Sequence, residues 1–436
     1  MSDKSAQANS EEPRHARGFS FVDAARKSLK ATRADALVLG VGLGVLFVAA
    51  LLAMRHRGAF AYVDEVNHYA QIALFRRGEF RIFTAYLTTI PGYHAIVSAI
   101  LWIFGADSLN AARLVNAAFA LAGVAGFHAL RRKLWPGTET LATAQLLVLP
   151  ILVPLFFLVY TDMLALALLL WATFATVTAR HWLSALLLAV LVSVRQNEVV
   201  WAGFLAILAA WPVWREHGAH AWRDIAAKVL PYCVPVAGFL GFWWWNGSIS
   251  LSREQSALHP DLSLHAGNIF FALFIVGVLM PLQAIAGLRD FADRVRRHGW
   301  LLAIPLLVFA AFWFGFHVDN PYNSVFPNQY IRNGVLLAID TQPMLRAAAA
   351  IVAAIAVCGF TFTRLRPAAA AWLYPFAALF LAASWLIEQR YALVPLVLWL
   401  AFREQRGRAI EWATLALWLA LAVWLFQGMI AMRLFL

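Results

Sequence analysis

Apolar runs approaching 20 residues recur along nearly the whole chain, separated by short polar intervals. A run of that length is what an α-helix needs to cross the hydrocarbon core of a bilayer. No internal repeat or Pro/Gly-rich linker divides the runs. The pattern predicts an all-α polytopic membrane protein, a helical bundle with about 13 transmembrane helices.

The predicted spans follow one another from residue 36 to residue 430. They are Ala36–Met54, Asn110–Leu130, Leu141–Val159, Met163–Val177, Trp182–Val194, Val199–Trp214, Leu230–Trp245, Ala266–Leu288, Leu301–Phe316, Ala347–Thr363, Ala368–Leu386, Ala392–Phe402 and Ala413–Ile430. The apolar segment His94–Phe104 is too short for a full crossing and is predicted to be a juxtamembrane or re-entrant helix.

Charge supports this division of the chain. The 436 residues include 35 Lys and Arg against 23 Asp and Glu, a net charge of +12. The basic residues fall in short loops between the apolar runs. If His94–Phe104 does not cross the membrane, all these loops lie on the side of the basic N-terminal tail, as the positive-inside rule expects of cytoplasmic loops. The sequence has no basic face interleaved with aromatic residues that could bind along a nucleic-acid backbone, so no nucleic-acid partner is expected.

The domain organisation follows from composition. Residues 1–33 are polar and predict a disordered cytoplasmic tail. Residues 34–436 predict one transmembrane domain, in which residues 55–109 form an external loop with juxtamembrane helices. The first apolar run begins too far into the chain for an ordinary signal peptide and predicts an uncleaved anchor.

The longest polar interval after the first span is 62–92, and it contains the leading catalytic candidates. Asp64 and Glu65 begin an amphipathic helix, with His68 one turn later. A carboxylate just above the membrane can act as a general base on a hydroxyl. It can equally be an acid favoured by the helix N-terminus, and the spacing matches no strong metal-binding pattern.

Other polar groups gather on the same predicted face. Asp162 lies at a tight turn, where it could orient a sugar or cap the next helix. Arg195 and Arg390 suit a phosphate, because a guanidinium donates bidentate hydrogen bonds, but each could instead form an interhelical ion pair. Asp261 and His265 lie in a loop that is dense in hydrogen-bonding groups, which could bind the hydroxyls of a sugar or could be a solvated connection.

Several ordered motifs resemble one family, the endoplasmic-reticulum α-1,2-glucosyltransferases that add the terminal glucose to dolichol-linked oligosaccharide. The motifs are Tyr62-x-Asp64-Glu65-x-x-His68-x-x-Gln71, Gly78-x-Phe80, Thr88-Thr89-x-Pro91-Gly92, Tyr160-Thr161-Asp162, Arg195-Gln196 with Trp201, Asp261-x-x-x-His265 and Glu388-x-Arg390-Tyr391 with Pro395. No P-loop, GxGxxG, GxSxG or HExxH pattern competes with them.

The resemblance implies the C-type glycosyltransferase architecture, with a catalytic acid in the first external loop. It implies a polyprenyl- or dolichyl-phosphate sugar as donor, inversion at the anomeric carbon, and no required metal or cofactor. Asp64, supported by Glu65, would be the base, and Arg195 and Arg390 would stabilise the departing lipid phosphate. The remaining candidates, His68, Thr88, Thr89, Asp162, Gln196, Asp261, His265 and Tyr391, would bind substrate.

The chain departs from the family where a Trp-Asp-Pro normally precedes the Thr-Thr motif. Here the stretch reads Phe83-Thr84-Ala85, which predicts a different acceptor. The Ala/Leu/Arg-rich composition indicates a bacterial relative in an inner membrane, with a cytoplasmic N-terminus, an external active site and an envelope glycan or lipid-linked acceptor. The alternative is a non-enzymatic flippase or transporter of a lipid-linked glycan, for which polar residues should be spread through the membrane depth.

Overall fold

The computed structural model describes residues 40–56, 60–82, 87–252, 260–261 and 263–435. The predicted tail at 1–33 and the departure at Thr84 lie outside these residues. Within the described part the chain is helical, and its β structure is limited to two isolated bridges. The predicted all-α class is therefore confirmed for this part of the chain.

The described residues form eighteen α-helices, and ten of them lie in the first half of the chain. They are α1 (Gly40–His56), α2 (Glu65–Arg76), α3 (Gly92–Ile103), α4 (Leu109–Leu134), α5 (Glu139–Leu147), α6 (Asp162–Val177), α7 (His181–Val194), α8 (Val200–His217), α9 (Trp222–Val229) and α10 (Cys233–Asn246).

The second half contains eight further α-helices. They are α11 (Gly267–Leu279), α12 (Pro281–Val295), α13 (Ala303–Gly315), α14 (Ile331–Thr341), α15 (Pro343–Phe360), α16 (Leu373–Ala382), α17 (Gln389–Phe402) and α18 (Arg408–Ile430). Helix α14 falls in a stretch for which the apolar pattern predicted no element.

Four helical segments in the described residues are long and apolar enough to cross a membrane. They are Leu109–Leu134, Gln196–Asn246, Pro343–Phe360 and Arg408–Ile430. The bent pair α11 and α12 makes a fifth if it is one span, and seven shorter apolar helices accompany them. The chain is an integral membrane protein, but the predicted count of about 13 crossings is not confirmed.

Two predicted spans are not continuous helices, and prolines explain both corrections. The span Leu141–Val159 ends as an α-helix at Leu147 and continues as turns and a short 3₁₀ helix. Pro150 and Pro154 lack the N–H groups that would continue the backbone hydrogen bonds of the helix. The span Ala266–Leu288 bends by 101° between α11 and α12. Met280 at the bend precedes Pro281, and a residue before proline is disfavoured in the α conformation.

Helix α3 covers the segment that was predicted not to cross. Its 12 residues make a rod of roughly 18 Å, well short of a bilayer core of about 30 Å. It packs against α2, α4 and α7, and Tyr93, His94 and Val97 on its inner side are buried. The segment therefore forms a short helix held within the protein.

Two polar clusters lie near opposite ends of α4. Near its start, Arg113 contacts Glu65, and near its end Arg131 donates to the carbonyls of Leu400, Ala401 and Arg403. These two arginines are 18 residues apart on one helix, which is about 27 Å. The basic loops around Arg131 and Arg403 thus meet at one end of α4, and the motif with Asp64 and Glu65 lies at the other end.

The last described residues return to the motif end. The hydroxyl of Tyr62 donates to the carbonyl of Leu434, and the ring of Phe435 packs between Tyr62 and Tyr330. A backbone bridge also pairs Tyr330 with Phe435. The segment after α18 therefore ties the start of the external loop to the start of α14.

Candidate active site

A cavity of about 710 Å³ lies at the motif end of the bundle. Its walls come from the segment between α1 and α3, the turn before α6, the α7–α8 connection, the region before α14 and the α16–α17 connection. Among the predicted site residues, those that line it are Asp64, His68, Thr88, Thr89, Arg195, Gln196, Asp261, Arg390 and Tyr391. The fold thus brings together motifs that are more than 300 residues apart in the sequence.

Arg390 is at the centre of the charged groups in this cavity. Its Nη2 lies 2.7 Å from Glu388 Oε1 and 3.4 Å from Asp64 Oδ2, and its Nη1 lies 3.7 Å from Asp162 Oδ2. The guanidinium also lies over the ring of Tyr160, 5.0 Å from its centroid. Helix α17 begins at Gln389, so Arg390 is fixed in its first turn.

Asp64 is the carboxylate of this group that the cavity reaches best. Its side chain is 44% exposed, whereas that of Asp162 is 3% exposed and that of Glu388 is 7% exposed. The backbone N–H of Asp64 donates to the Tyr160 hydroxyl at 3.2 Å. Asp64 immediately precedes α2, so the helix holds it at the cavity wall while its side chain stays accessible.

Glu65 has a different environment, although it was predicted to be catalytic together with Asp64. It does not line the cavity, and it is fully buried against Arg113 of α4. Its oxygens accept from Arg113 at 2.6 and 3.0 Å and from the backbone N–H groups of Tyr62 and Val159. These hydrogen bonds satisfy both oxygens of the buried carboxylate and anchor the loop to α4.

Arg195 and Asp162 form a buried ion pair between the start of α6 and the end of α7. The Nε of Arg195 also lies 3.6 Å from Glu198 Oε1. Asp162 does not line the cavity itself. The pair therefore fixes the positions of two helices beside Arg390, which is the packing role that the sequence left open for these residues.

Arg332 is a cavity residue that was not among the predicted site residues. It lies in the first turn of α14, and its Nη1 is 2.6 Å from Glu388 Oε1, the same oxygen that Arg390 contacts. Burial alone would raise the pKa of the Glu388 carboxyl, but Arg390 and Arg332 outweigh it and lower the pKa to about 2. Glu388 is consequently an anion that bridges two arginines.

His68 reaches the cavity from α2, one turn after Asp64. Its Nδ1 is 2.9 Å from Nε2 of His94, and the two rings stack with centroids 5.1 Å apart. Burial lowers the pKa of His68, an effect that nearby Asp64 opposes, so the imidazole is neutral near pH 7. A neutral ring bound through Nδ1 leaves Nε2 for a hydrogen bond in the cavity.

Gln196 and Asp261 line the cavity but use their side chains to hold loops. Gln196 donates to the carbonyls of Thr88 and Ile249 and accepts from the N–H of Ile90. Asp261 Oδ1 accepts from the Ser248 hydroxyl and the N–H of Ile249. Gln196 therefore joins the strip that contains Thr88 to the loop after α10, and Asp261 holds the two ends of that loop together.

His265 lies away from the cavity lining. Its ring stacks on Trp385, with centroids 5.9 Å apart, and its backbone N–H donates to the carbonyl of Ala382. Trp385 itself lines the cavity, so His265 supports the wall from behind. Among the described residues, no group of three or more His, Cys, Asp or Glu is placed to hold a metal ion.

Comparison with protein families gives one match at the motif end of the chain. The model of the DIE2/ALG10 family matches residues 59–223, which contain the external loop and helices α2 to α8. This match covers the Asp64, Asp162 and Arg195 motifs. The family resemblance predicted from the motifs is confirmed.

Similar proteins of known function carry one name, Dol-P-Glc:Glc(2)Man(9)GlcNAc(2)-PP-Dol alpha-1,2-glucosyltransferase. The Drosophila melanogaster protein is 27% identical over 429 residues, 89% of this chain and 93% of that protein. The Candida glabrata protein is 23% identical over 284 residues, 55% of this chain and 50% of that protein. The human protein is 28% identical over 212 residues, 44% of this chain and 43% of that protein.

A solved structure also resembles the chain distantly. ArnT from Cupriavidus metallidurans in the apo state covers 90% of this chain and 78% of its own, with 16% identity and a TM-score of 0.44. The same protein bound to undecaprenyl phosphate gives 15% identity and a TM-score of 0.38. A likeness at this level does not define a shared fold or activity.

Proposed function

Because the chain is a relative of the DIE2/ALG10 family of α-1,2-glucosyltransferases, we propose that it is a membrane glycosyltransferase. It moves a glucose from a polyprenyl-phosphate-linked donor to a lipid-linked or envelope glycan acceptor. The observation that carries this proposal is the accessible carboxylate of Asp64, which faces the cavity 3.4 Å from a guanidinium of Arg390. A base and a cation side by side are what transfer from a sugar phosphate to a hydroxyl requires.

The reaction is a single displacement. Asp64 accepts the proton of the acceptor hydroxyl while that oxygen forms a bond to the anomeric carbon of the donor. The bond from that carbon to the phosphate oxygen breaks, its electron pair stays on the phosphate, and the anomeric configuration inverts. No metal is needed, because the negative charge that develops on the lipid phosphate meets Arg390.

The other cavity groups have supporting roles in this proposal. His68 offers a neutral ring nitrogen, and Thr88, Thr89 and Tyr391 offer hydroxyls, to a sugar in the cavity. The guanidinium of Arg195 contacts Asp162 and Glu198. Arg195 therefore acts on the phosphate through the positive electrostatic potential that it adds near Arg390. Glu65, Gln196, Asp261 and His265 hold the walls.

The proposal also covers the domain organisation of the chain and its orientation in the membrane. Residues 34–436 form one transmembrane domain of the C-type glycosyltransferase architecture, with the external loop at 55–109 carrying the base. The N-terminus is cytoplasmic, and the cavity opens on the external face of a bacterial inner membrane. The polar groups that line the cavity are gathered at one end of the bundle rather than through its depth, which supports an enzyme over a flippase or transporter.

The experiment is a donor panel with the purified protein and a crude lipid extract as acceptor. Polyprenyl-phosphate glucose, mannose and galactose are compared with a nucleotide-activated glucose by following radiolabel into lipid-extractable glycan. We expect transfer from polyprenyl-phosphate glucose and none from the nucleotide sugar. Transfer from the nucleotide sugar alone, or from no donor of the panel, would refute the proposed donor class.

A further inference from the structure

Three carboxylates already lie against the guanidinium of Arg390. Arg390 contacts Glu388, Asp64 and Asp162 at 2.7, 3.4 and 3.7 Å. Arg195 is likewise held by Asp162 and Glu198. A lipid phosphate that binds here must therefore replace one of the carboxylates that already face these arginines.

Asp64 is the carboxylate that is easiest to replace. Its contact with Arg390 is a long hydrogen bond of 3.4 Å, near the limit for such a bond, and its side chain is 44% exposed. Glu388 is tied to Arg390 and Arg332 at 2.7 and 2.6 Å and is nearly buried. A long ion pair with one half-exposed partner contributes little free energy, so separating it costs little.

Arg332 supplies the second cation next to Arg390. Its side chain lines the cavity. Its Nη1 donates a hydrogen bond to Glu388, and its Nε donates one to Asn333. Because Glu388 Oε1 contacts both guanidinium groups, the group Arg332, Glu388 and Arg390 has a net charge of +1. A phosphate between the two arginines would receive hydrogen bonds from both, which is the arrangement that guanidinium groups favour.

We propose that the donor phosphate binds between Arg332 and Arg390 and displaces Asp64 from Arg390. This proposal rests on the proposed function and deepens it. Asp64 Oδ2 lies 3.4 Å from Arg390 Nη2, on the side of the guanidinium where the phosphate would bind. When the phosphate arrives, Asp64 is released from Arg390, and its carboxylate can then contact the acceptor hydroxyl. The base is thus switched on by the donor, and the donor binds before the acceptor is deprotonated.

The test is equilibrium binding of undecaprenyl phosphate to the full chain in nanodiscs. Removing the resident carboxylate with Asp64→Asn should tighten binding about two- to fivefold, because an exposed ion pair no longer competes. Arg332→Gln should weaken binding about tenfold or more, because it removes a charge-assisted contact. Asp107→Asn, which changes an exposed carboxylate paired with Arg76, is the matched control and should leave binding unchanged.

A double-mutant cycle separates competition from simple charge removal. In an Arg390→Gln background, Asp64→Asn should no longer tighten binding, since there is no shared guanidinium to release. The inference would be overturned if Asp64→Asn still tightened binding in the Arg390→Gln background. It would also be overturned if Asp64→Asn alone left binding unchanged or weakened it. If the unaltered protein does not bind undecaprenyl phosphate, the proposed donor class fails instead, so the two failures are distinguishable.

Discussion

Asp64→Asn is expected to lower the rate of glucose transfer by about 10²- to 10⁴-fold, the range typical of general-base catalysis. The amide keeps the size of the side chain but cannot accept the proton of the acceptor hydroxyl. The measurement is the initial rate of transfer from polyprenyl-phosphate glucose at saturating donor. Because Asp64 is partly exposed and its contact with Arg390 is long, the variant should fold and insert normally.

The control for this prediction is Asp107→Asn, an exposed acid outside the cavity. It should transfer at the rate of the unaltered protein. If Asp64→Asn retains that rate as well, Asp64 is not the base.

Glu65→Gln is expected to impair folding rather than chemistry, although Glu65 is the neighbour of Asp64. It removes the counter-ion of Arg113 in a site where both side chains are almost fully buried. Breaking a buried pair from one side costs about 3–5 kcal/mol. We expect a lower thermal denaturation temperature in detergent and a lower yield of monodisperse protein.

The matched control is Glu79→Gln, which breaks exposed pairs with Arg77 and Arg81. Exposed pairs contribute about 0–1 kcal/mol, so this variant should denature almost as the unaltered protein does. A Glu65→Gln protein that is fully stable yet inactive would assign Glu65 to the chemistry and contradict the structural role.

Much of this site could be predicted from the sequence, because its motifs carry the polar groups. Asp64, His68, Arg195 and Arg390 all line one cavity. The division of labour between Asp64 and Glu65 could not be predicted. It depends on Arg113, which lies 48 residues further along the chain and is brought to Glu65 only by the packing of α4.

Arg332 shows a second kind of limit. It lies at the start of a helix that no apolar pattern marked, and only the fold places it 2.6 Å from Glu388.

The span count shows a third limit. Hydropathy counts apolar residues whether or not they form one helix, so it joined α11 and α12 across the break before Pro281. Apolar composition establishes the membrane class, but not the path of the chain.

The anomeric configuration of the product distinguishes a single displacement from a reaction through a glycosyl–enzyme intermediate. The protein is given polyprenyl-phosphate glucose labelled with carbon-13 at the anomeric carbon, and the product is examined by NMR. A single displacement with Asp64 as base predicts that the new glycosidic bond has the configuration opposite to that of the donor, with one polyprenyl phosphate released for each glucose transferred. Retention of the donor configuration would require a glycosyl–enzyme intermediate and would contradict the account.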